Sequence, residues 1–162
     1  MRIAVANDHT AVVHKRAIAD HLRQRGHEVL DVGVSSDEAS VDYPDFAGKA
    51  AQALVDGAVE RAVLICGTGI GVSITANKFP GVRCGLAHDV ATARLAAEHN
   101  RAQALALGAR VVPVDVALAM VDAWLDATFE ARHQRRLDKI ATIEHRFADA
   151  LRTSATKDQR PC

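Results

Sequence analysis

The sequence predicts an α/β fold, a five-stranded parallel sheet sandwiched between helices. Three observations lead there. Short apolar runs alternate with longer segments of helical period along most of the chain. Polar or glycine-containing stretches close the runs. Strands separated by helices imply right-handed crossovers, and these make a parallel sheet with helices on both faces.

Each element has its own signal. Residues 3–6 read as a buried strand. Residues 12–25 read as a helix, with Val12, Val13, Ala17, Ile18 and Leu22 near helical spacing and Gly26 as its C-terminal cap. Residues 28–32 form a second strand, and residues 33–44 a polar loop closed by Asp42-Tyr43-Pro44. Residues 45–55 are alanine-rich and helical, stopped by Gly57. Residues 61–65 form the third strand, which runs straight into Cys66-Gly67-Thr68-Gly69-Ile70-Gly71. A short helix at 73–78 ends before Pro80, and strand four follows at 82–87. Residues 90–99 are helical, 104–107 form strand five, and 114–125 the next helix. Residues 131–151 form a last helix with no strand after it, carrying Leu137, Ile140, Ile143 and Phe147 near one side. Such a stripe packs either on its own domain or on a second subunit. The expected organisation is one domain over 1–151 and a flexible polar tail over 152–162.

Composition excludes several classes of function. The 162 residues fit one domain, and 49% apolar with 25% charged is ordinary for a globular protein. Lys plus Arg and Asp plus Glu both number 20, so overall charge gives no hint of nucleic acid or an acidic membrane. Aromatics at 4% argue against a platform for stacking bases. Cys66, Cys84 and Cys162 are odd in number and widely spaced, unlike a disulfide framework, and no CxxC pair suggests structural zinc. The spacing of His14, His21, His27, His88 and His145 forms no metal cluster, so neither metal nor other cofactor is expected. The first residues hold too short an apolar run for a signal peptide, and no run is long enough to span a membrane. The expected compartment is the cytoplasm.

In parallel sheets, ligands bind beyond the carboxyl ends of the strands. Asp8 and His9 fall there after strand one, Cys66 after strand three, His88 and Asp89 after strand four, and Arg110 after strand five. Three glycines in five residues let the backbone turn sharply and approach a ligand, with N–H groups converging on an anionic oxygen. The alternative is a tight structural turn. The loop is not a P-loop, because no Gly-Lys-Ser/Thr follows, and Val72 spoils a dinucleotide fingerprint. Cys66 is either a thiol poised by those N–H groups or a small buried hydrophobe. A cysteine phosphatase would need an arginine where Val72 stands. Asp8 reads equally as a helix cap. His99, with Asn100 at a helix end, also suits the helix dipole. Arg132 and Arg136, at i and i+4, can face one way and fork a phosphate, or form a solvated face.

Seven segments occur together in a familiar order. They are Asp8-His9, Asp42-Tyr43-Pro44, Cys66-Gly67-Thr68-Gly69-Ile70-Gly71, Ala76-Asn77-Lys78, Glu98-His99-Asn100, Leu107-Gly108-Ala109-Arg110 and Arg132-His133-Gln134-Arg135-Arg136. With them the chain resembles the type B ribose-5-phosphate isomerase family, which also includes galactose-6-phosphate isomerases. The resemblance covers residues 1 to about 145. It implies a Rossmann-like domain and a homodimer or dimer of dimers, with the last helix used in dimerisation and active sites shared between subunits. It also implies aldose–ketose isomerisation of a phosphosugar through an enediolate, without metal. By position, Cys66 resembles the base that moves a proton between C1 and C2. Thr68 and the amides of Gly67, Gly69, Ile70 and Gly71 resemble the enediolate stabilisers. His99 resembles the ring-opening residue, with Asp8 beside the ring oxygen. His9, Arg110, Arg132 and Arg136 resemble the phosphate clamp, and Tyr43 and Asn100 sugar contacts. Some members use a glutamate in place of the cysteine, at the position that is Val72 here. Two departures stand out: Thr10-Ala11 replaces x-Gly after Asp-His, and Glu130-Ala131 replaces Gly-Gly before Arg-His.

The expected reaction is interconversion of D-ribose 5-phosphate and D-ribulose 5-phosphate. The alternatives are the same chemistry on galactose 6-phosphate, allose 6-phosphate or a tetrose phosphate, or a catalytically silent phosphate-binding module.

Overall fold

The computed structural model describes residues 1–37 and 39–157. Its strands are β1 (Arg2–Asn7), β2 (Glu28–Asp31), β3 (Arg61–Cys66), β4 (Cys84–Leu86) and β5 (Ala104–Gly108). Its helices are α1 (Val12–Gln24), α2 (Tyr43–Val55), α3 (Ile70–Ala76), α4 (Val90–Asn100), α5 (Val114–Asp126) and α6 (Gln134–Lys157). The chain divides into two compact units. Met1–Phe129 holds the sheet with α1 to α5, and the second unit begins at Glu130 and holds α6.

The sheet is five-stranded in the order β2-β1-β3-β5-β4, with parallel pairings throughout the described residues. The central strands are apolar on both faces, as strands covered by helices on each side must be. Large and small residues alternate along them. Ile3, Val5, Val63, Ile65, Leu105 and Leu107 point to one face and form a core with Ile18 and Leu22 of α1, Ala93 and Ala97 of α4, and Met120 and Trp124 of α5. Ala4, Ala6, Ala62, Ala104 and Ala106 point to the other face, against Ala47, Ala50 and Ala51 of α2 and Val72 and Ala76 of α3. Small residues there let α2 and α3 lie close to the sheet, which carries the site at its rim.

Several boundaries differ from those the sequence suggests, each for a local reason. α2 begins at Tyr43, with Pro44 in its first turn, where no intrahelical N–H is needed. α3 begins at Ile70, three residues before the expected start, because Gly69 completes the turn with φ 79°. β4 is trimmed to Cys84–Leu86, since the side chain of Asn77 takes the backbone of Cys84 on both its N–H and its carbonyl. α1 ends as expected, at Gly26 with φ 79°. α6 continues past residue 151 to Lys157; residues 158–162, with Cys162, lie outside the described residues. Among the described residues no helix is long and apolar enough to cross a membrane.

Candidate active site

β1 connects outward to β2, and the chain then returns across it to β3. The connections on either side of that point leave in opposite directions, which opens a crevice beyond the strand ends. Asn7 pairs with Ile65 and Cys66 with Gly108. The ends of β1, β3 and β5 therefore stand in a row, and the chain issues from them as Asp8-His9, the glycine loop and Ala109-Arg110.

The loop is clamped from one side. Ala109 N–H donates to the Cys66 carbonyl at 2.8 Å and Arg110 N–H to the Gly67 carbonyl at 2.9 Å. A methyl built on Gly69 would lie 2.7 Å from Leu86 Cδ1 and 2.8 Å from the Leu107 carbonyl carbon, and its φ of 79° already excludes most side chains. Held in this way, the backbone turns back on the thiol. Cys66 is 4% exposed, and Gly69 N–H donates to its Sγ at 3.2 Å. Ile70 N–H donates to Thr68 Oγ1 at 3.3 Å. Tyr43 closes the outer side, its Cζ 2.5 Å from where a Gly71 methyl would sit. The Arg110 side chain runs along Gly67, with Cδ 3.5 Å from a Cβ built there.

Asp8 is buried and caps the turn His9–Ala11, its Oδ1 accepting from Thr10 N–H at 2.9 Å and from Thr10 Oγ1 at 2.6 Å. The capping reading of Asp8 therefore holds. His9 Nδ1 accepts from Val41 N–H at 3.2 Å, so in the neutral ring the proton sits on Nε2, a donor for an anion. Asp89 also proves a cap, in a reciprocal box with Thr92, whose N–H donates to its Oδ1 at 2.7 Å.

The other expected site residues stand elsewhere. α4 starts at the C-terminal rim of the sheet and runs back along it for eleven residues, roughly 16 Å at the usual rise. His99 and Asn100 are thus at the opposite rim, where Gln103 O accepts from Ala62 N–H near the start of β3. Within the first unit they do not meet Cys66. In the second unit, Arg132 lies in a 3-10 turn and pairs with Glu130 at 2.6 Å, while Arg136 lies in the first turn of α6 and meets His133 Nδ1 at 2.5 Å. Arg132 thus lies in the turn that leads directly into α6, and Arg136 follows in the first turn of that helix. Neither departure from the family pattern strains the backbone. Ala11 has φ −125° and Glu130 φ −88°, and Arg101 is the one non-glycine residue with positive φ among those described.

Cys84 is buried in the core at the start of β4. Burial pushes its thiol up to about 12, against a smaller opposing effect of a hydrogen bond with Ser73. Iodoacetamide at pH 8.5 should alkylate Cys84 in the native protein about a thousandfold more slowly than in the unfolded chain, because only the thiolate reacts. Peptide mass mapping over time reads this directly; native labelling at the unfolded rate would contradict it.

A family model described as Ribose/Galactose Isomerase matches residues 3–140. The chain belongs to this family. Ribose-5-phosphate isomerase B of Escherichia coli strain K12 is 44% identical over 146 residues, covering 90% of this chain and 97% of that protein. D-erythrulose-4-phosphate isomerase of Pectobacterium atrosepticum is 40% identical, covering 90% and 96%. Among solved structures, ribose-5-phosphate isomerase B of Clostridium thermocellum superposes with a TM-score of 0.88 at 49% identity, covering 91% of this chain and 99% of that one. The α/β fold with a five-stranded parallel sheet is thus that of the family. The packing of Tyr43 and Gly108 against the loop leaves no signal in the sequence. Gly108 lies under the loop, where a methyl would come 2.7 Å from the Thr68 carbonyl.

Proposed function

We propose that this chain interconverts D-ribose 5-phosphate and D-ribulose 5-phosphate through an enediolate, with Cys66 as the base and no metal. The observation that carries the reading is the Cys66 thiol, buried at the mouth of the crevice and taking a hydrogen bond from the loop that follows it. A proton alpha to a carbonyl needs a base held within reach, and the charge left behind needs donors already in place. The Cys66 thiolate takes the C2 proton of the open-chain aldose, and the electron pair moves onto the carbonyl oxygen at C1. Thr68 and the N–H groups of Gly67, Gly69, Ile70 and Gly71 stabilise the enediolate. The proton returns to C1, and the hydroxyl proton passes from O2 to O1. His9, Arg110, Arg132 and Arg136 hold the phosphate, and Tyr43 and Asn100 orient the sugar.

Ring opening brings in a second copy of the chain. His99 donates to the furanose ring oxygen as the C1 hydroxyl loses its proton, with Asp8 beside that oxygen. Since His99 and Cys66 stand at opposite rims of one sheet, the His99 of a given site comes from a partner subunit. This favours a homodimer or dimer of dimers, with α6 in the interface. A cytoplasmic sugar-phosphate enzyme is the setting it implies.

Two experiments test the reading. Turnover of ribose 5-phosphate is expected to exceed that of galactose 6-phosphate, allose 6-phosphate and a tetrose phosphate at least tenfold in kcat/KM; a six- or four-carbon winner would overturn the substrate. The relative that acts on erythrulose 4-phosphate makes the four-carbon arm the closer contest. Cys66→Ala and His99→Ala proteins, each inactive, are then unfolded, mixed and refolded. Half of the dimers would be mixed, each with one intact site, so about a quarter of wild-type activity is expected. No recovery would place both residues in the same subunit's site.

A further inference from the structure

The turn that carries His99 and Asn100 ends in an unusual way. Arg101, directly after α4, takes φ 47° and ψ 42°, a left-handed conformation disfavoured for any residue with a Cβ. Arg101 N–H donates to the Ala97 carbonyl at 3.0 Å, the bond of a left-handed helix end that glycine usually closes, and Ala102 N–H donates to the Ala96 carbonyl at 3.0 Å. Here side chains from elsewhere hold it. Arg83 donates from Nε to the Asn100 carbonyl at 3.0 Å and from Nη2 to the Arg101 carbonyl at 3.1 Å. The next carbonyl, of Ala102, accepts from Arg61 Nη1 at 2.7 Å and Trp124 Nε1 at 3.0 Å. Arg83 is itself fixed, its N–H donating to Gln103 Oε1 at 3.0 Å and its Nη1 reaching the Gly81 carbonyl at 3.4 Å.

We propose that Arg83 is a positioning residue for the reaction: its guanidinium fork holds the last turn of α4 so that His99 meets the substrate ring in a partner's site. The inference rests on the ring-opening role given to His99 above. Two successive carbonyls need two donors at a fixed angle, which a planar guanidinium provides and an ammonium does not. A small rotation of this turn moves the imidazole away from the ring oxygen without touching Cys66, which lies at the other rim.

The test separates ring chemistry from proton transfer. Ribulose 5-phosphate is open-chain, since its 5-hydroxyl is esterified, so exchange of its C1 proton with solvent deuterium requires Cys66 but no ring opening. Arg83→Met is expected to lower kcat/KM for ribose 5-phosphate at least tenfold and the exchange rate no more than about threefold. Adding Arg101→Gly, which frees the left-handed turn from its Cβ, should recover a part of the loss. Arg83→Lys is expected to fall between wild type and Arg83→Met, and it carries the same comparison if Arg83→Met does not fold. Unchanged isomerisation, or isomerisation and exchange falling by the same factor, would overturn the proposal. A wild-type protein that neither isomerises nor exchanges would overturn the proposed function itself, and the positioning role with it.

Discussion

Cys66→Ala is expected to lower kcat on ribose 5-phosphate by about 10²–10⁴-fold while KM moves less than about threefold. The substitution removes one sulfur from a nearly buried position and leaves the rest of the site standing. The loop keeps its shape because its clamps are backbone bonds, from Ala109 to Cys66 and from Arg110 to Gly67. The donors proposed for the enediolate and the cations proposed for the phosphate therefore persist, and binding persists with them. Only the proposed base is lost, so the expected loss falls on the chemical step. Solvent exchange at C1 of ribulose 5-phosphate should vanish in parallel. Cys66→Ser fills the space but offers a hydroxyl that is too weak a base, and it is expected to fail nearly as badly. Steady-state kinetics with exchange measured by NMR checks all three. Retention of more than a tenth of wild-type kcat by Cys66→Ala would remove Cys66 from the base role, and a large rise in KM would assign it to binding instead.

The sheet was legible where its strands are buried on both faces. β1, β3 and β5 are short apolar runs that polar or glycine-containing stretches close, and the helices between them leave only parallel pairing. The edge strand β4 was legible in place but not in length, because its start depends on the side chain of Asn77, seven residues away. The beginning of α3 was hidden because Ile70 and Gly71 read as a continuation of a flexible loop, whereas the left-handed Gly69 ends that loop. Half of the candidate site followed from topology alone. Asp8 and Arg110 follow strands, Cys66 ends one, and parallel strands end on one rim. The meeting of Tyr43 with Gly71 was not legible, since it arises from α2 packing on α3 through small residues. Local context separated Cys66 and Cys84 in part, with Cys84 inside strand four and Cys66 directly before the glycine loop. Their difference is positional: Cys84 begins a strand within the core, and Cys66 ends one beneath a turn of donors.

Asp31→Ala is expected to destabilise the fold more than Lys15→Met, although both break the same ion pair. Lys15 Nζ of α1 meets Asp31 Oδ2 at the end of β2 at 2.7 Å. The lysine side chain is 6% exposed and the aspartate 35%. Removing the aspartate strands an ammonium group with almost no access to water, at a cost of about 3–5 kcal/mol. Removing the lysine leaves a carboxylate that water reaches and that still accepts from Gly33 N–H at 3.1 Å through Oδ1, so about 1 kcal/mol is expected. Methionine also keeps most of the apolar stem that α1 buries. The pair further matters to the crevice. Gly33, which Asp31 holds, is packed so closely on Asn7 that a methyl there would lie 2.0 Å from Asn7 Oδ1, and Asn7 Nδ2 donates to the Asp8 carbonyl at 2.7 Å. Loss of Asp31 should therefore loosen the end of β1 as well and raise KM along with the instability, whereas Lys15→Met should leave KM close to wild type. Urea unfolding at one protein concentration, with the denaturant slope checked for constancy, measures the order. Equal costs for the two substitutions, or a larger one for Lys15→Met, would mean that the buried ammonium does not set the energetics of this corner.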